Sequence, residues 1–285
     1  MPVADAQLGI NIDSNKLFYA VSHTAEPDVL KRVGYIDFSF DLNQSIVTQD
    51  PETFPGLCDT LSRLSREHGA AEARIIMPPS LECWSIVPKT VFDEEVERRQ
   101  HLEILMQGTD IHQTEVNWHP LSNRDFKLLS VRQNTHIQSF QTLLDSAGNG
   151  TLYSDFETGG KWLKHTGFHG SFLMVNSYNG VIVISSYLLG KLRAATYFTY
   201  DDIQDLPYLW LQYASHLPWM EGLHEYLMVT GERSGTIIEF LNAYWDDATE
   251  VLVMDNLNKL HLKAEEKSFP FQLERAFPAI MLSVS

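Results

Sequence analysis

Two stretches of this chain, Leu8–Val21 and Phe172–Ser185, share one plan: an apolar strand, a short polar turn carrying an asparagine, then a second apolar strand. Apolar runs interrupted by a few polar residues fold back on themselves as hairpins, because the turn is the only part that water can solvate. One hairpin opens the chain and the other opens its second half. The pattern predicts two related lobes, each growing outward from its own hairpin. With 285 residues and 44% hydrophobic content, the chain is large enough to bury a core in each.

The order of elements around each hairpin repeats. Residues 7–13, 16–22 and 29–40 read as strands, separated by polar breaks at 13–15 and 23–27. A helix then runs from about Pro51 to Gly69, with Phe54, Leu57, Cys58, Leu61 and Leu64 at helical spacing and the glycine as its stop. A short strand over 74–77 ends at Pro78 and Pro79. In the second half, strands at 172–175, 181–187 and 192–198 have Gly180 and Gly190 at their turns. A helix over 202–216, a strand over 226–229, a glycine turn at Thr230–Gly235 and a helix to about Tyr244 follow, with a strand at 251–254 and a closing helix at 272–282. Between the halves the pattern changes. Strand 81–87, helix 92–107, strands 115–118 and 126–131, helix 134–146 and strand 151–156 read as a β-α-β-β-α-β unit.

Four places carry a resemblance. The two hairpins are similar to the phosphate-binding hairpins of the actin-like ATPase superfamily. Residues 73–89, where strands end in prolines, followed by the acidic run Asp93–Glu97, resemble the start of the lateral subdomain in the PilM/FtsA-like branch. Leu227–Gly235 resembles the strand, glycine turn and helix that hold adenosine, and Ala276–Leu282 resembles that branch's closing segment. The resemblance implies an α/β fold: a two-lobed actin-like (ribonuclease H-like) duplication with a lateral β-α-β-β-α-β subdomain. Residues 1–80 and 151–168 would form the first lobe, 81–150 the lateral subdomain and 169–285 the second lobe.

It also implies where a nucleotide would sit. Each superfamily hairpin carries an Asp that organises Mg²⁺ and a Gly that lets backbone N–H groups approach phosphate. Here those positions hold Asn11 and Asp13, then Asn176 and Tyr178, with Ser14 and Ser177 beside them. Asn11 lacks the charge Mg²⁺ prefers. Asp13 would face phosphate with a like charge, a repulsion of about 4 kcal/mol at 4 Å and an effective dielectric near 20. Tyr178 would crowd the second turn. In the adenosine turn a single Gly231 precedes Glu232 and Arg233, where the superfamily shows paired glycines. The set Asn11, Asp13, Ser14, Asn176, Ser177, Gly231 and Glu232 therefore reads as a vestigial nucleotide cleft with no cofactor. In another register, Asp13 is itself the metal Asp and Ser14 the phosphate donor, and the chain is an ATPase or small-molecule kinase using ATP and Mg²⁺.

Charge narrows the partners. A formal net charge of −16 without a Lys/Arg cluster opposes nucleic acid. No apolar run approaches the ~20 residues that cross a bilayer, and the first residues lack the blocks of a signal peptide, so a cytoplasmic protein is expected. Cys58 and Cys83 have no metal or redox spacing. His165 and His169, four apart around Gly167, read as loop or hinge residues rather than ligands. Asp201–Asp202 and Asp246–Asp247 read as helix starts and solvated turns. No metal site is expected. The resemblance implies a PilM-like scaffold that binds a short cytosolic tail of an inner-membrane partner through 81–150. The acidic helix near 93–106 favours a basic tail.

Overall fold

The computed structural model describes residues 5–221, 224–244, 249–265, 269 and 271–284; the pair Asp246–Asp247 lies outside them. Both hairpins form. Strands β1 (Ala6–Asp13) and β2 (Lys16–His23) pair antiparallel, as do β9 (Phe172–Tyr178) and β10 (Val181–Leu188). Each hairpin is the centre of a sheet with one strand order. In the first lobe β3 (Val29–Asp37), β2, β1, β4 (Ala70–Met77) and β8 (Gly150–Ser154) lie side by side. In the second the order is β11 (Lys191–Thr199), β10, β9, β12 (Tyr226–Gly231) and β13 (Glu250–Val253). A two-residue strand, β14 (Lys263–Ala264), returns from the second half and pairs parallel with β3.

Every residue of β9 is buried, as are all but one of β1, as a strand covered on both faces requires. Helices α1 (Leu42–Thr48), α2 (Phe54–His68) and α5 (Asn134–Ser146) cover one face of the first sheet, with Leu42, Leu57, Leu61 and Phe140 against Leu8, Ile10 and Ile12. Helices α7 (Leu206–His216) and α8 (Ser234–Leu241) cover the far face of the second. Between the sheets lies a shared core made by α6 (Glu157–Thr166) and α9 (Phe277–Ser283). Helix α9 lies so close on β1 that a Cβ on Gly9 would come 2.0 Å from the Ala279 carbonyl oxygen. The chain is thus two α/β units sharing their inner helices.

Two helices escape the sequence reading. The strand expected to run to residue 40 stops at Asp37, and α1 follows, capped by Asp41, whose carboxylate accepts the Gln44 N–H at 2.8 Å. Helix α6 is masked in the sequence by Gly159 and Gly160, poor helix formers. Gly159 is there for packing: a Cβ would fall 2.4 Å from the Tyr187 ring.

The lateral unit is smaller than the β-α-β-β-α-β reading over 81–150. Strands β5 (Glu82–Pro88), β7 (Phe126–Gln133) and β6 (Thr114–Pro120) make an antiparallel sheet in that order, with the short helices α3 (Lys89–Asp93) and α4 (Glu95–Leu105) on it. The last two elements belong to the first lobe. Helix α5 buries Phe140, Leu143 and Leu144 in that lobe's core, and β8 pairs parallel with β4. Local pattern assigns an element its type and not its sheet, so the boundary at 150 groups α5 with its chain neighbours, while β8 falls within the stretch 151–168 expected in the first lobe. The lateral sheet also leans on the second lobe: Leu128 meets Phe156 and Ala195, and the Tyr197 hydroxyl donates to the Glu82 carbonyl at 2.6 Å.

Candidate functional site in the interlobe cleft

The hairpin turns of the two lobes meet, and the expected residues meet with them. Asp13, at the end of β1, accepts a hydrogen bond from the Asn179 N–H at 2.9 Å, which ties one turn to the other. Asn11 and Asn176 lie one strand turn deeper, both buried. The Tyr178 hydroxyl is 3.3 Å from Asn11 Oδ1 and accepts from Asn176 Nδ2 at 3.1 Å. Asn176 Oδ1 in turn accepts from the Thr230 hydroxyl at 2.9 Å.

The hub is a residue the sequence reading passed over. Asp155, between β8 and α6, accepts from Asn176 Nδ2 at 2.6 Å and from the Tyr178 hydroxyl. Sequence offered one signal, an acidic residue just after a strand, and the strand was extended across it to 156. The chain Asn11, Tyr178, Asp155, Asn176, Thr230 is buried throughout and spans both lobes. Burial pushes Asp155 up to about 7 and Asp13 up to about 6, and it holds the Tyr178 phenol, beside Asp155, well above its ordinary value. Tyr178 is therefore protonated and its single proton bonds within the network.

The remaining predicted residues line the rim. The Ser14 hydroxyl is 3.4 Å from Asp41. Gly231 has φ +90°, and a Cβ there would fall 2.0 Å from the Ser177 carbonyl oxygen, so β12 crosses the second hairpin at a point only glycine fits. Glu232 donates its backbone N–H to that carbonyl at 2.8 Å, and its carboxylate meets Arg275 at 3.2 Å. Arg233 takes the left-handed conformation, φ +57°, that the superfamily's second glycine would take easily. The Ser177 hydroxyl is buried without a hydrogen-bond partner.

What remains open between the turns is a cavity of about 120 Å³, edged by Asp13, Ser14, Asp41, Pro79, Tyr178 and Asn179, with no Lys or Arg among its lining residues. Small-molecule sites enclose roughly 300–1,000 Å³. Two larger openings lie elsewhere, against β8. One, about 450 Å³, is a groove with β6 on one side and β8 on the other, floored by Ile137, Gln141 and Leu144. The second, about 460 Å³, lies beside α6. His165, in the last turn of α6, does not approach a metal set: its Nδ1 is 3.5 Å from Asp28. Among the described residues no cluster of His, Cys, Asp and Glu is placed to hold a metal, and no helix is long and apolar enough to cross a membrane.

The sequence matches no protein-family model and no curated protein. The fold matches several solved structures. The PilM–PilN type IV pilus biogenesis complex superposes with a TM-score of 0.67 at 14% identity, over 98% of this chain and 97% of that one. A protein from Bacteroides thetaiotaomicron with an actin-like ATPase fold and unknown function gives 0.56 at 13% identity, over 91% and 95%. The cytoplasmic domain of EpsL, an inner-membrane component of the type II secretion system of Vibrio cholerae, gives 0.52 at 10% identity, over 97% and 92%. The chain has the two-lobed actin-like fold, and PilM is among the structures it resembles.

Proposed function

We propose that this protein is an actin-like scaffold that has given up nucleotide chemistry and binds a short segment of a protein partner in the groove between β6 and β8. One observation carries the first half: Tyr178, Asp155, Asn11 and Asn176 bond to each other where the superfamily leaves room for phosphate and metal. The residues present do not fit Mg-ATP. The remaining cavity is too small for a nucleotide, and no Lys or Arg lines it to receive a triphosphate. Isothermal titration with Mg-ATP at millimolar concentration is expected to give no binding heat. A dissociation constant in the micromolar range would overturn this reading in favour of the ATPase or kinase alternative.

The groove supports the second half. Strands β6 and β8 are each the last strand of their sheet, so each leaves one row of backbone N–H and C=O groups unpaired by a neighbouring strand. An extended peptide adds to such an edge through main-chain hydrogen bonds, and side-chain pockets give it specificity. Leu152 on β8 and Ile137 and Leu144 on α5 supply apolar contact, while the half-exposed Trp118 ring turns to the other face of β6, against Phe92 and Lys127. Glu115 and Glu157 make the walls acidic, because Arg132 is committed to Glu82 and burial presses His119 down to about 4, leaving it neutral. A basic, partly apolar segment fits, such as the cytosolic tail of a membrane-anchored protein, which would hold this chain at the membrane surface. A partner recovered with the full chain should be lost with Leu152→Arg and should bind less well as salt rises. Undiminished binding to that variant refutes the groove.

A further inference from the structure

Three hairpins among the described residues close through two residues: Ser14–Asn15, Asn179–Gly180 and, between β10 and β11, Leu189–Gly190. The first two turns are polar, as turns that face water should be. The third is not. Both of its residues take positive φ, +49° and +76°, as a type I′ turn requires, and Asn-Gly or Asp-Gly meets that need best. Leucine meets it poorly, because in the left-handed region its Cβ crowds the following carbonyl oxygen. Solvation is against it as well: Leu189 is 73% exposed and Leu188 beside it 38%, and Gly190 and Lys191 are also exposed. Among the described non-glycine residues with positive φ, Leu189 is the one large apolar side chain. Neither backbone nor water selects leucine at this turn, so the reason for it lies in what the tip meets.

Charge and size indicate what that is. Lys191 follows the turn, Arg193 stands two residues further along β11, and Lys164, exposed on α6, lines with Leu192 the opening at the hairpin's base. In a chain of net charge −16, none of these three cations enters an ion pair among the described residues. A four-residue tip is too small for a stable protein interface, which buries about 800 Å² on each side. We propose that the β10–β11 tip is a membrane-contact site. Leu188 and Leu189 enter the boundary between headgroups and acyl chains of an anionic bilayer, and Lys164, Lys191 and Arg193 meet its headgroups. The contact is weak by itself, because two leucines bury little area and the rest of the acidic surface is repelled. It orients the chain on a membrane and does not depend on the groove reading. The two sites are neighbours: the opening at the hairpin's base shares Tyr153, Glu157 and His119 with the groove.

The test floats the full chain with two sets of vesicles, phosphatidylcholine alone and phosphatidylcholine with about 30% phosphatidylglycerol. At about 1 mM lipid the anionic vesicles should carry about tenfold more protein than the neutral ones, and about 0.5 M salt should release most of it. Leu188→Asn/Leu189→Asn gives Leu189's position a residue its backbone favours, so the variant should fold normally and yet bind about tenfold less. Lys164→Gln/Lys191→Gln should bind severalfold less. As an independent readout, a nitrobenzoxadiazole label on Leu189→Cys, in a Cys58→Ser/Cys83→Ser background, should shift its emission to the blue on anionic vesicles. The proposal is overturned if the anionic vesicles carry no more protein than the neutral ones, or if the folded Leu188→Asn/Leu189→Asn variant binds them undiminished. A tip variant that loses a protein partner, where the unaltered chain ignores vesicles, would make the tip a protein contact and overturn the membrane assignment. The assay contains no partner, so this proposal and the groove fail separately.

Discussion

Asp155 lies in the middle of the molecule, hydrogen-bonded to Tyr178 and Asn176 and reached by almost no solvent. A carboxyl whose folded pKa is raised above 3.8 contributes stability that is fully present below that value and is lost as the pH rises through the folded pKa. For Asp13 the loss runs up to about 6, and for Asp155 it continues to about 7. Between pH 6 and 8 the chain should therefore become less stable, with Asp155 contributing about 1–2 kcal/mol, or about 2–6 °C in Tm. Asp155→Asn keeps an acceptor for Tyr178 and removes the ionisation. Calorimetry at pH 6, 7 and 8 should show a shallower fall in Tm for this variant; an unchanged slope would mean the carboxyl titrates elsewhere. The proposed loss of nucleotide binding rests on the same residue, because a buried acid and a phenol meet between the two hairpins.

Between elements, a buried polar joint is made by Glu82 and Arg132, on the first and middle strands of the lateral sheet. Arg132 Nε donates to Glu82 at 2.7 Å and its Nη2 donates to Ser154 on β8 at 2.9 Å, while Trp84 and Ser154 complete the Glu82 carboxylate. This joint fastens β5 and β7 to the edge of the first lobe. Burial pushes Glu82 up and Arg132 opposes that shift. Arg132→Met leaves the buried acid without its cation and should destabilise the protein by about 3–5 kcal/mol. Adding Glu82→Gln should recover more than half of that loss, since the removed charge no longer needs a partner. Urea denaturation of the two single variants and the double measures the coupling; strict additivity would show that the pair acts independently.

At the scale of the whole molecule, the lobes are held together by their hairpin turns, by α6 and α9 and by the lateral sheet resting on β11. A clamp built this way is closed by its own side chains. Removing residues 82–133 and joining the ends with a short glycine linker takes out the lateral sheet and its helices, and β5 and β7 already bring those ends together. That deletion should still unfold cooperatively, at a lower Tm. Removing 81–150 should not fold, because it strips Phe140, Leu143 and Leu144 from the first lobe's core. Circular dichroism melts of both deletions decide this; two equally folded products would restore the larger lateral unit.

Sequence alone determined the duplication and the elements that carry it. Alternating and continuous apolar runs, with glycine and proline as punctuation, report how each segment meets water, and that property is local. It located both hairpins and helix α2 with Leu57, Leu61 and Leu64 inward, whereas Asn11, Asp13, Asn176, Tyr178 and Gly231 were singled out by the resemblance to the actin-like superfamily. Helix α6 was hidden because its glycines answer to the Tyr187 ring, which is distant in sequence. Asp155 was missed for the same reason: its role exists only where Asn176 and Tyr178 arrive from the other lobe. The membership of α5 in the first lobe was also decided only by the tertiary structure. Sheet partners, burial and net local charge are sums over residues far apart along the chain, and only folding brings those terms together.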